Sequence, residues 1–382
     1  METAVKETLK IDRTNWTRVT FGDVVFEPKE NAKDIYNEGI EHVVGLEHID
    51  SENIHLTRSG ILEETTTFSK KFRKGDVLFG RRRAYLKKAA LAGFDGICSG
   101  DITVFRAKKN LLPELLPFIV NNEKFFDYAI KHSAGGLSPR VKFKDLANYE
   151  FLLPPKDQQA QLAELLWAMD EVIEREREVL ERLDKAMKSS IKYHFSNANN
   201  VIRIKDLGKV ITGATPPTNN VNYWQGGITP FITPSEIDDS IYVNKTERFL
   251  TESGVAKSRL FKANSVLTVC IGSTIGKIAI NEIESCSNQQ INAIIPQDGY
   301  SAIYILHLLR YHKSKILARS GATAVPIINK TEFESIKLPI LQKSKIPIFE
   351  NEVIGFSKSI KLMESKINSS QTLQKSLINQ IF

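Results

Sequence analysis

Residues 153–195 read LPPKDQQAQLAELLWAMDEVIEREREVLERLDKAMKSSIKYHF, and this stretch decides how the chain is organised. Apolar side chains recur in it every seven residues, in two adjacent columns. The columns are Leu165, Val172, Val179, Ala186 and Tyr193, and Leu166, Ile173, Leu180 and Met187. Charged residues fill the positions between them, as in a coiled coil, and we expect these charges to face solvent. With Pro154 and Pro155 before it and Asp157 as N-cap, the pattern predicts a helix over 156–197, roughly 50–60 Å long.

A second helix of the same kind is predicted over 342–382. Its apolar residues recur at spacings of three and four, and they are Phe349, Val353, Phe356, Ile360, Met363, Ile367, Leu373, Leu377 and Ile381. A globular segment, 198–341, separates the two helices, and another, 1–155, precedes the first. The chain can therefore return and pair the helices antiparallel within one molecule, although each helix could instead pair with another subunit.

The two globular segments are copies of one another. Matching positions are Val77 and Val266, Ala89 and Ile278 (offset 189), Cys98 and Cys286 (offset 188), and Phe151 and Ile336 (offset 185). Small loop deletions give such a slowly shrinking offset. A duplicated chain has approximate two-fold symmetry, which suits a partner with a two-fold axis of its own, duplex DNA being a common one.

The pattern inside each copy predicts a mixed α/β (α+β) fold. Short β-branched and aromatic runs at 76–79 and 102–105 predict strands, and 111–131, opening near Pro113, predicts a helix. Strands and helices do not alternate regularly, so we expect mixed sheets rather than a doubly wound sheet. The polar run 197–200 predicts a linker.

The composition is compatible with more than one kind of partner and indicates the cellular compartment. The net charge of +7, from 52 basic and 45 acidic residues, fits nucleic-acid binding but also an ordinary soluble protein. Three cysteines without a CxxC motif indicate a reducing compartment, and we expect Cys98 and Cys286 to be small core residues. A polar N-terminus and the lack of an apolar run near 18 residues predict a cytoplasmic protein with no membrane contact.

Several motifs together resemble the specificity subunit of type I restriction–modification systems. In the first copy they are residues 133–140 (SAGGLSPR), 153–155 (LPP), the glutamines at 158–159 and the helix to 195. In the second copy, 213–216 (GATP) and 223–228 (YWQGGI) resemble the start of a target recognition domain of that family. The chain departs from the pattern at 338–340 (LPI) and 342–344 (QKS), and the first copy lacks a Tyr-Trp-Gly-Gly run.

The resemblance implies a division of labour. Residues 1–155 and 198–341 would be two target recognition domains, each reading one half of a bipartite double-stranded DNA target. The helices 156–197 and 342–382 would set the spacer between the half-sites and dock methyltransferase subunits, two of them by symmetry. Restriction subunits would join where present. S-adenosylmethionine and the catalytic residues would belong to the methyltransferase, so no cofactor is expected in this chain.

Candidate DNA-contacting residues in the first copy lie in two segments. DNA binding needs cations for phosphates and hydrogen-bonding groups for base edges. The residues are Arg81, Arg82, Arg83, Tyr85, Lys87 and Lys88 in a basic loop between two strands, and Ser138, Arg140 and Lys142 in a glycine-rich turn. Arginine forms bidentate contacts with guanine, although a solvated loop without contacts is the simpler alternative.

The corresponding loop of the second copy is less basic. Its candidates are Ser273, Thr274 and Lys277, with Arg319, Thr323 and Lys330 near the counterpart of the turn. The glycines at 272 and 276 allow close backbone approach, but the Walker spacing is absent. If the loops do the same job, the two domains read different half-sites and bind phosphates unequally.

The sequence offers no catalytic signature. It has no Asn-Pro-Pro-Tyr or Asp-Pro-Pro-Tyr motif, no HExxH, and no metal-ligand spacing among its seven histidines. We therefore expect a non-enzymatic recognition subunit without a metal. The alternatives are a duplicated coiled-coil adaptor with no DNA role, and a divergent DNA methyltransferase or nuclease.

Overall fold

The computed structural model describes residues 12–62, 67–320 and 326–382, and the chain forms two compact units. The first unit comprises Met1–Glu178 and Glu364–Phe382, and the second comprises Val179–Met363. Both are mixed α/β, as the sequence predicts. In the parts of the chain described, no helix is long and apolar enough to cross a membrane.

Over its described residues, the first unit has two mixed sheets and a separate strand pair. Its strands are β1 (Thr17–Thr20), β2 (Val25–Phe26), β3 (Val43–Val44), β4 (His55–Leu56), β5 (Lys70–Phe72), β6 (Val77–Gly80), β7 (Ala89–Ala92), β8 (Gly96–Cys98), β9 (Ile102–Ala107) and β10 (Glu150–Leu153). One sheet has the order β2-β9-β6-β7-β4, the other β3-β8-β5, and β1 pairs with β10. The pairs β4–β7 and β3–β8 are parallel and the others antiparallel, which confirms the prediction of mixed sheets.

The helices of this unit differ from prediction at their ends. They are α1 (Phe21–Val24), α2 (Leu116–Val120), α3 (Glu123–Lys131), α4 (Phe143–Leu146) and the start of α5 (Lys156–Ser196). The helix predicted over 111–131 is broken because Asn122 caps α3, its side chain accepting a hydrogen bond from the Lys124 backbone N–H. The predicted N-cap Asp157 lies inside the first turn of α5, since the carbonyl of Pro155 already accepts from the Gln159 N–H.

The second unit repeats this architecture. Its strands and helices are β11 (Asn200–Arg203), β12 (Gly208–Thr212), β13 (Thr229–Ile232), β14 (Phe249–Leu250), α6 (Glu252–Val255), β15 (Val266–Val269), β16 (Ile278–Ile280), β17 (Cys286–Ser287), β18 (Ile291–Pro296), α7 (Ala302–Tyr311), α8 (Lys313–Leu317), α9 (Lys330–Ser335), β19 (Lys337–Ile340) and the start of α10 (Ile346–Ile381). The sheets have the orders β12-β18-β15-β16 and β14-β13-β17, and β11 pairs with β19. Because β11 begins at Asn200, the predicted linker 197–200 is shortened at its end.

Strand register confirms the internal repeat. Leu78 of β6 pairs with Val104 of β9, and Leu267 of β15 pairs with Ala293 of β18, so both members move by 189 residues. Cys98 and Cys286 lie on equivalent strands, β8 and β17, and are fully buried, as expected for small core residues. Burial raises the pKa of the Cys98 thiol to about 12, which keeps it protonated and unreactive.

Each unit contains a short stretch of antiparallel helix pairing. In the first unit, Gln374 of α10 donates to the carbonyl oxygen of Leu166 (3.4 Å), and Lys366 pairs with Glu176 (3.3 Å). As residue numbers rise along α5 they fall along α10. In the second unit, Glu352 accepts from Ser190 (2.8 Å) and His194 Nε2 (3.0 Å). The intramolecular antiparallel pairing predicted from the heptads is confirmed.

Only one of the two predicted apolar columns of α5 packs inward. In the first unit Leu166 and Ile173 are buried, whereas Leu165 and Val172 are 40% and 49% exposed. Adjacent columns are about 100° apart around a helix, so both cannot face the same partner. On α10, Leu373, one of the apolar residues predicted to face the partner helix, is likewise exposed, and the neighbouring Gln374 is buried in its place.

Two carboxylates on α5, those of Asp170 and Glu176, do not face solvent, and Asp170 is hydrogen-bonded to His55 (2.6 Å). Glu176, predicted to lie on a solvated face, is only 5% exposed. The antiparallel pairing brings Lys366 to its carboxylate, which explains how a charge is tolerated there. The solvated-face prediction is wrong at this position.

Candidate nucleic-acid interface

The basic loop of the first unit connects β6 to β7, as predicted. It contains a single turn of 3-10 helix, Ala84–Leu86, flanked by two residues in the left-handed region, Arg83 (φ +54°) and Lys87 (φ +48°). These two kinks give the loop a defined shape, in which Tyr85 is 52% exposed and Arg83 is exposed. A non-glycine residue in this region costs roughly 1–2 kcal/mol, so surrounding contacts must hold it.

Backbone hydrogen bonds join this loop to the glycine-rich turn. The Arg83 N–H donates to the Pro139 carbonyl (2.8 Å), and the Val141 N–H donates to the Arg81 carbonyl (3.0 Å). Two segments more than fifty residues apart, both predicted from sequence as DNA candidates, therefore form one surface. Lys142, at the start of α4, is exposed beside it.

Asp101 ties two arginines of this surface together. Its Oδ2 accepts from Arg82 Nη1 (3.1 Å) and its Oδ1 accepts from Arg140 Nε (2.8 Å). Arg82 Nε also donates to Ser138 Oγ (2.6 Å). Partial burial opposes ionisation of Asp101, but the hydrogen bonds from Arg140 and Arg82 outweigh it, so the pKa of this carboxyl is lowered.

Other predicted residues of the loop contact the protein itself. Lys87 Nζ donates to Glu123 (2.6 Å), and Lys88 Nζ donates to the Leu46 carbonyl (2.6 Å). Arg81 Nε is buried with no hydrogen-bond partner in the parts of the chain described. These contacts hold the ammonium groups of Lys87 and Lys88 away from a ligand, whereas Arg83, Arg140 and Lys142 remain exposed.

The second unit builds the same loop from different residues. A 3-10 turn covers Gly272–Thr274, and Gly272 (φ +69°) donates its N–H to the Pro326 carbonyl (2.8 Å), as Arg83 does to Pro139. Ser273 is exposed, while the Thr274 hydroxyl donates to the Ile271 carbonyl (3.3 Å).

The remaining candidates of this unit are scattered around that loop. Lys277 is half-buried. Arg319 is exposed after α8, and Lys330 begins α9 and pairs with Glu334 (3.5 Å). Thr323 lies outside the described residues.

The charged cluster of the first unit has an uncharged counterpart. The Arg81 N–H donates to the Asp101 carbonyl (3.0 Å), and the equivalent bond in the second unit runs from the Cys270 N–H to the Gln290 carbonyl (2.8 Å). Isolated bridges pair Arg82 with Arg140 and, equivalently, Ile271 with Ile327. Arg82, Asp101 and Arg140 are thus replaced by Ile271, Gln290 and Ile327.

Sequence reasoning missed Asp101, although a signal for it was present. The offset of 189 between the copies aligns Asp101 with Gln290, and Arg82 with Ile271. That alignment shows a charge in one copy where the other is neutral. It gives no indication that Asp101 reaches Arg140, because this contact depends on the fold of the turn.

The first unit also contains a counterpart of the Tyr-Trp run. Tyr36 and Gly39 precede β3 as Tyr223 and Gly226 precede β13, and both glycines have positive φ (+65° and +74°). In the second unit the guanidinium of Arg248 stacks on Trp224, 3.9 Å from the ring centroid. The turn is therefore shared, although its tryptophan occurs in one copy alone.

One group of side chains among the described residues has the composition of a metal site. His55, Asp170 and Glu174 bring their ligand atoms within 4.8 Å of one another. His55 Nε2 is hydrogen-bonded to Asp170 (2.6 Å), and Glu174 pairs with Arg177 (2.5 Å). These contacts account for the cluster as an ion-pair group, and the expectation of a chain without a metal stays a prediction.

The chain is a duplicated α/β protein with paired helices. Each of its two units has the same mixed α/β fold, in which a kinked loop packs against a turn. The family model described as type I restriction modification DNA specificity domain matches residues 14–185 and 197–371. The chain therefore belongs to this family of DNA specificity domain proteins.

Relatives support this assignment. The chain is 31% identical to the HindI type I restriction enzyme specificity subunit of Haemophilus influenzae over 163 residues, which are 41% of this chain and 35% of that protein. It spans about a third of the length of the first curated relatives it matches.

Two solved structures share the fold. One is a chain from a type I R-M system, solved in work on its complex assembly and conformational transition (TM-score 0.61, 20% identity, 96% of this chain and 97% of that chain). The other is the S subunit of a type I restriction–modification system from M. genitalium (TM-score 0.60, 13% identity, 99% and 98%).

Proposed function

We propose that this chain is the DNA-specificity subunit of a type I restriction–modification complex. The observation that carries the proposal is that the two units share one backbone arrangement but differ in the chemistry of the side chains on it. The same backbone hydrogen bonds hold the loop in both units, yet the side chains are Arg82, Asp101 and Arg140 in one and Ile271, Gln290 and Ile327 in the other. A duplicated scaffold with divergent surfaces suits a bipartite target with two different halves.

In this proposal 1–155 and 198–341 are the two target recognition domains. Exposed cations of the first, Arg83 and Lys142 among them, would contact phosphates, while the more neutral loop of the second relies on hydroxyl and apolar groups. The subunit is non-catalytic, and the methyl donor S-adenosylmethionine is bound by the methyltransferase partner.

The helices provide the proposed docking surface for methyltransferase subunits. Leu165 and Val172 in the first unit and Val179 in the second are large apolar side chains that are 40–49% exposed. Exposed apolar residues repeated on a helix are typical of a protein-interaction face. We propose two methyltransferase subunits, with restriction subunits joining the same complex where they are present, and the helices setting the spacer.

Modification-sensitive sequencing of host DNA, with and without this gene, tests the proposal. Loss of one split methylated motif, with other motifs intact, supports it and supplies both half-sites. An unchanged methylome in cells that produce the assembled complex contradicts it and favours an adaptor.

Inserting seven residues into each helix should lengthen the spacer and leave both half-sites unchanged, and an unchanged spacer would refute the role of the helices.

A further inference from the structure

Three separate segments converge on Asp101. Arg82 comes from the loop between β6 and β7, Arg140 from the turn before α4, and Asp101 from the turn between β8 and β9. The carboxylate accepts from both arginines, at 3.1 and 2.8 Å, and its side chain is only 20% exposed. One acidic residue therefore fixes the relative position of two cations that the chain brings from different loops.

The two guanidinium groups keep unused donors. Ser138 accepts from Nε of Arg82 and Asp101 accepts from its Nη1, and Asp101 also accepts from Nε of Arg140. Within the described residues, no protein acceptor is hydrogen-bonded to Nη2 of Arg82 or to the two terminal nitrogens of Arg140. The two side chains are 38% and 45% exposed and so are accessible to a ligand, while the bonds to Asp101 restrict the orientation of both guanidinium groups.

Fixed orientation distinguishes a base-reading arginine from a phosphate-binding one. A phosphate contact depends mainly on charge and tolerates a mobile side chain. Reading guanine needs the guanidinium fork to meet N7 and O6 together, which requires a defined plane and angle. An acidic residue beside the arginines weakens attraction to phosphates, so its presence is better explained by orientation than by affinity.

The second unit offers a natural comparison. Gln290 stands at the position of Asp101, and its side-chain oxygen accepts from Asn288 Nδ2 (3.2 Å). The positions of the two arginines carry Ile271 and Ile327, of which Ile327 is 55% exposed. At these two equivalent positions the second unit has no cation for an acidic residue to orient, so a change at Gln290 is a matched control.

We propose that Asp101 is a positioning residue for the first half-site, orienting Arg82 and Arg140 so that their free N–H groups meet the acceptor edge of a guanine. The inference rests on the proposed function and names the group that gives one domain its base preference. The second domain reads its half-site without such a group.

The test uses the full chain assembled with its methyltransferase subunits. Binding is measured to duplex libraries randomised in one half-site at a time, for wild type, Asp101→Asn, Arg140→Lys and the control Gln290→Ala. The first half-site is the one whose preferred sequence changes with Arg140→Ala. Asp101→Asn should reduce discrimination there roughly 5- to 100-fold and leave the other half-site unchanged. Arg140→Lys, which keeps the charge but loses the fork, should do the same.

Two further readouts separate orientation from loss of structure. Asp101→Asn removes a negative charge near DNA, so affinity for unrelated sequence should be unchanged or higher while discrimination falls. In an Arg82→Ala/Arg140→Ala background, Asp101→Asn should have no further effect on discrimination. Asp101→Glu, which keeps the carboxylate, should restore part of the preference.

Specific outcomes would overturn the inference. Unchanged discrimination in Asp101→Asn, or an equal loss at both half-sites, would show that the carboxylate does not orient base-reading groups. An unchanged sequence preference in Arg140→Ala would overturn the inference as well, because Arg140 would then not read a base. If wild type itself shows no sequence-dependent binding, the proposed function fails with it, and that result differs from sequence-specific wild type with an indifferent Asp101→Asn.

Discussion

The backbone N–H of Arg83 lies 2.8 Å from the carbonyl oxygen of Pro139 and donates to it. Gly272 and Pro326 repeat this bond at 2.8 Å in the second unit. Both donors have positive φ, +54° and +69°, so the bond requires the left-handed conformation whichever residue stands there. Glycine adopts this conformation at little cost. In the first unit Arg83 adopts it in spite of the strain, which indicates a use for the arginine side chain.

Arg83→Gly should separate the strain from the charge. It removes the cost of the left-handed conformation, offset in part by the flexibility of glycine in the unfolded chain. We expect Arg83→Gly to be more stable than Arg83→Ala by roughly 0.5–1 kcal/mol in chemical unfolding. Both variants should lower the slope of log affinity against log salt for DNA by about one phosphate contact. A salt slope equal to that of wild type would show that Arg83 does not contact phosphate.

Lys87 was predicted as a DNA contact, but the structure gives it an internal partner. Its Nζ donates to Glu123 (2.6 Å), whose other oxygen lies 2.7 Å from Lys375 of α10. The hydrogen bonds from Lys375 and Lys87 lower the pKa of Glu123, so it is charged at neutral pH. Lys87→Met should therefore destabilise the protein by roughly 0.5–1.5 kcal/mol and leave the salt slope of DNA binding unchanged.

Lys375→Met is the matched control for Lys87, because it removes the other cation on Glu123 from a helix that carries no predicted DNA contact. The two variants should have the same phenotype, measured by thermal unfolding and by salt titration of DNA affinity. A reduced salt slope in Lys87→Met alone would restore Lys87 as a DNA-binding residue.

The buried carboxylate of Glu176 makes the helix pairing sensitive to Lys366. Within the described residues it has no hydrogen bond, and Lys366 Nζ lies 3.3 Å away. Lys366→Ala should destabilise the protein by about 1–2 kcal/mol, less than for a fully buried pair because the lysine is largely exposed. Adding Glu176→Gln should recover most of that loss, since no charge is then left unpaired. A double variant as unstable as Lys366→Ala would show that the buried charge is not the cause.

Local patterns in the sequence predicted the secondary structure and the duplication, but they did not predict the tertiary contacts. The heptads of α5 and the apolar runs of β6 and β9 are set by neighbouring residues, so helix, strands and duplication were all visible in the sequence. Which column of α5 faces inward depends on the partner helix, and so Leu165 and Leu166 could not be told apart. The cluster of Arg82, Asp101 and Arg140 joins three distant loops, and no periodicity in the chain marks such a contact.

A histidine in the first unit should make stability depend on pH near neutrality. The hydrogen bond to Asp170 raises the pKa of His55, and burial opposes this only in part. Because the folded-state pKa lies above the ordinary value of 6.5, the stabilisation is fully present below pH 6.5 and is lost as the pH rises through the raised value. His55→Gln, which does not titrate, should therefore be less stable than wild type at pH 6, and the difference should shrink towards pH 8.5. Thermal unfolding across this range measures it, with Asp170→Asn as the control that removes the same dependence from the carboxylate side. A constant difference between wild type and His55→Gln across the range would mean that the histidine is neutral throughout and contributes through packing against Trp167 (ring centroids 6.0 Å apart) rather than through charge.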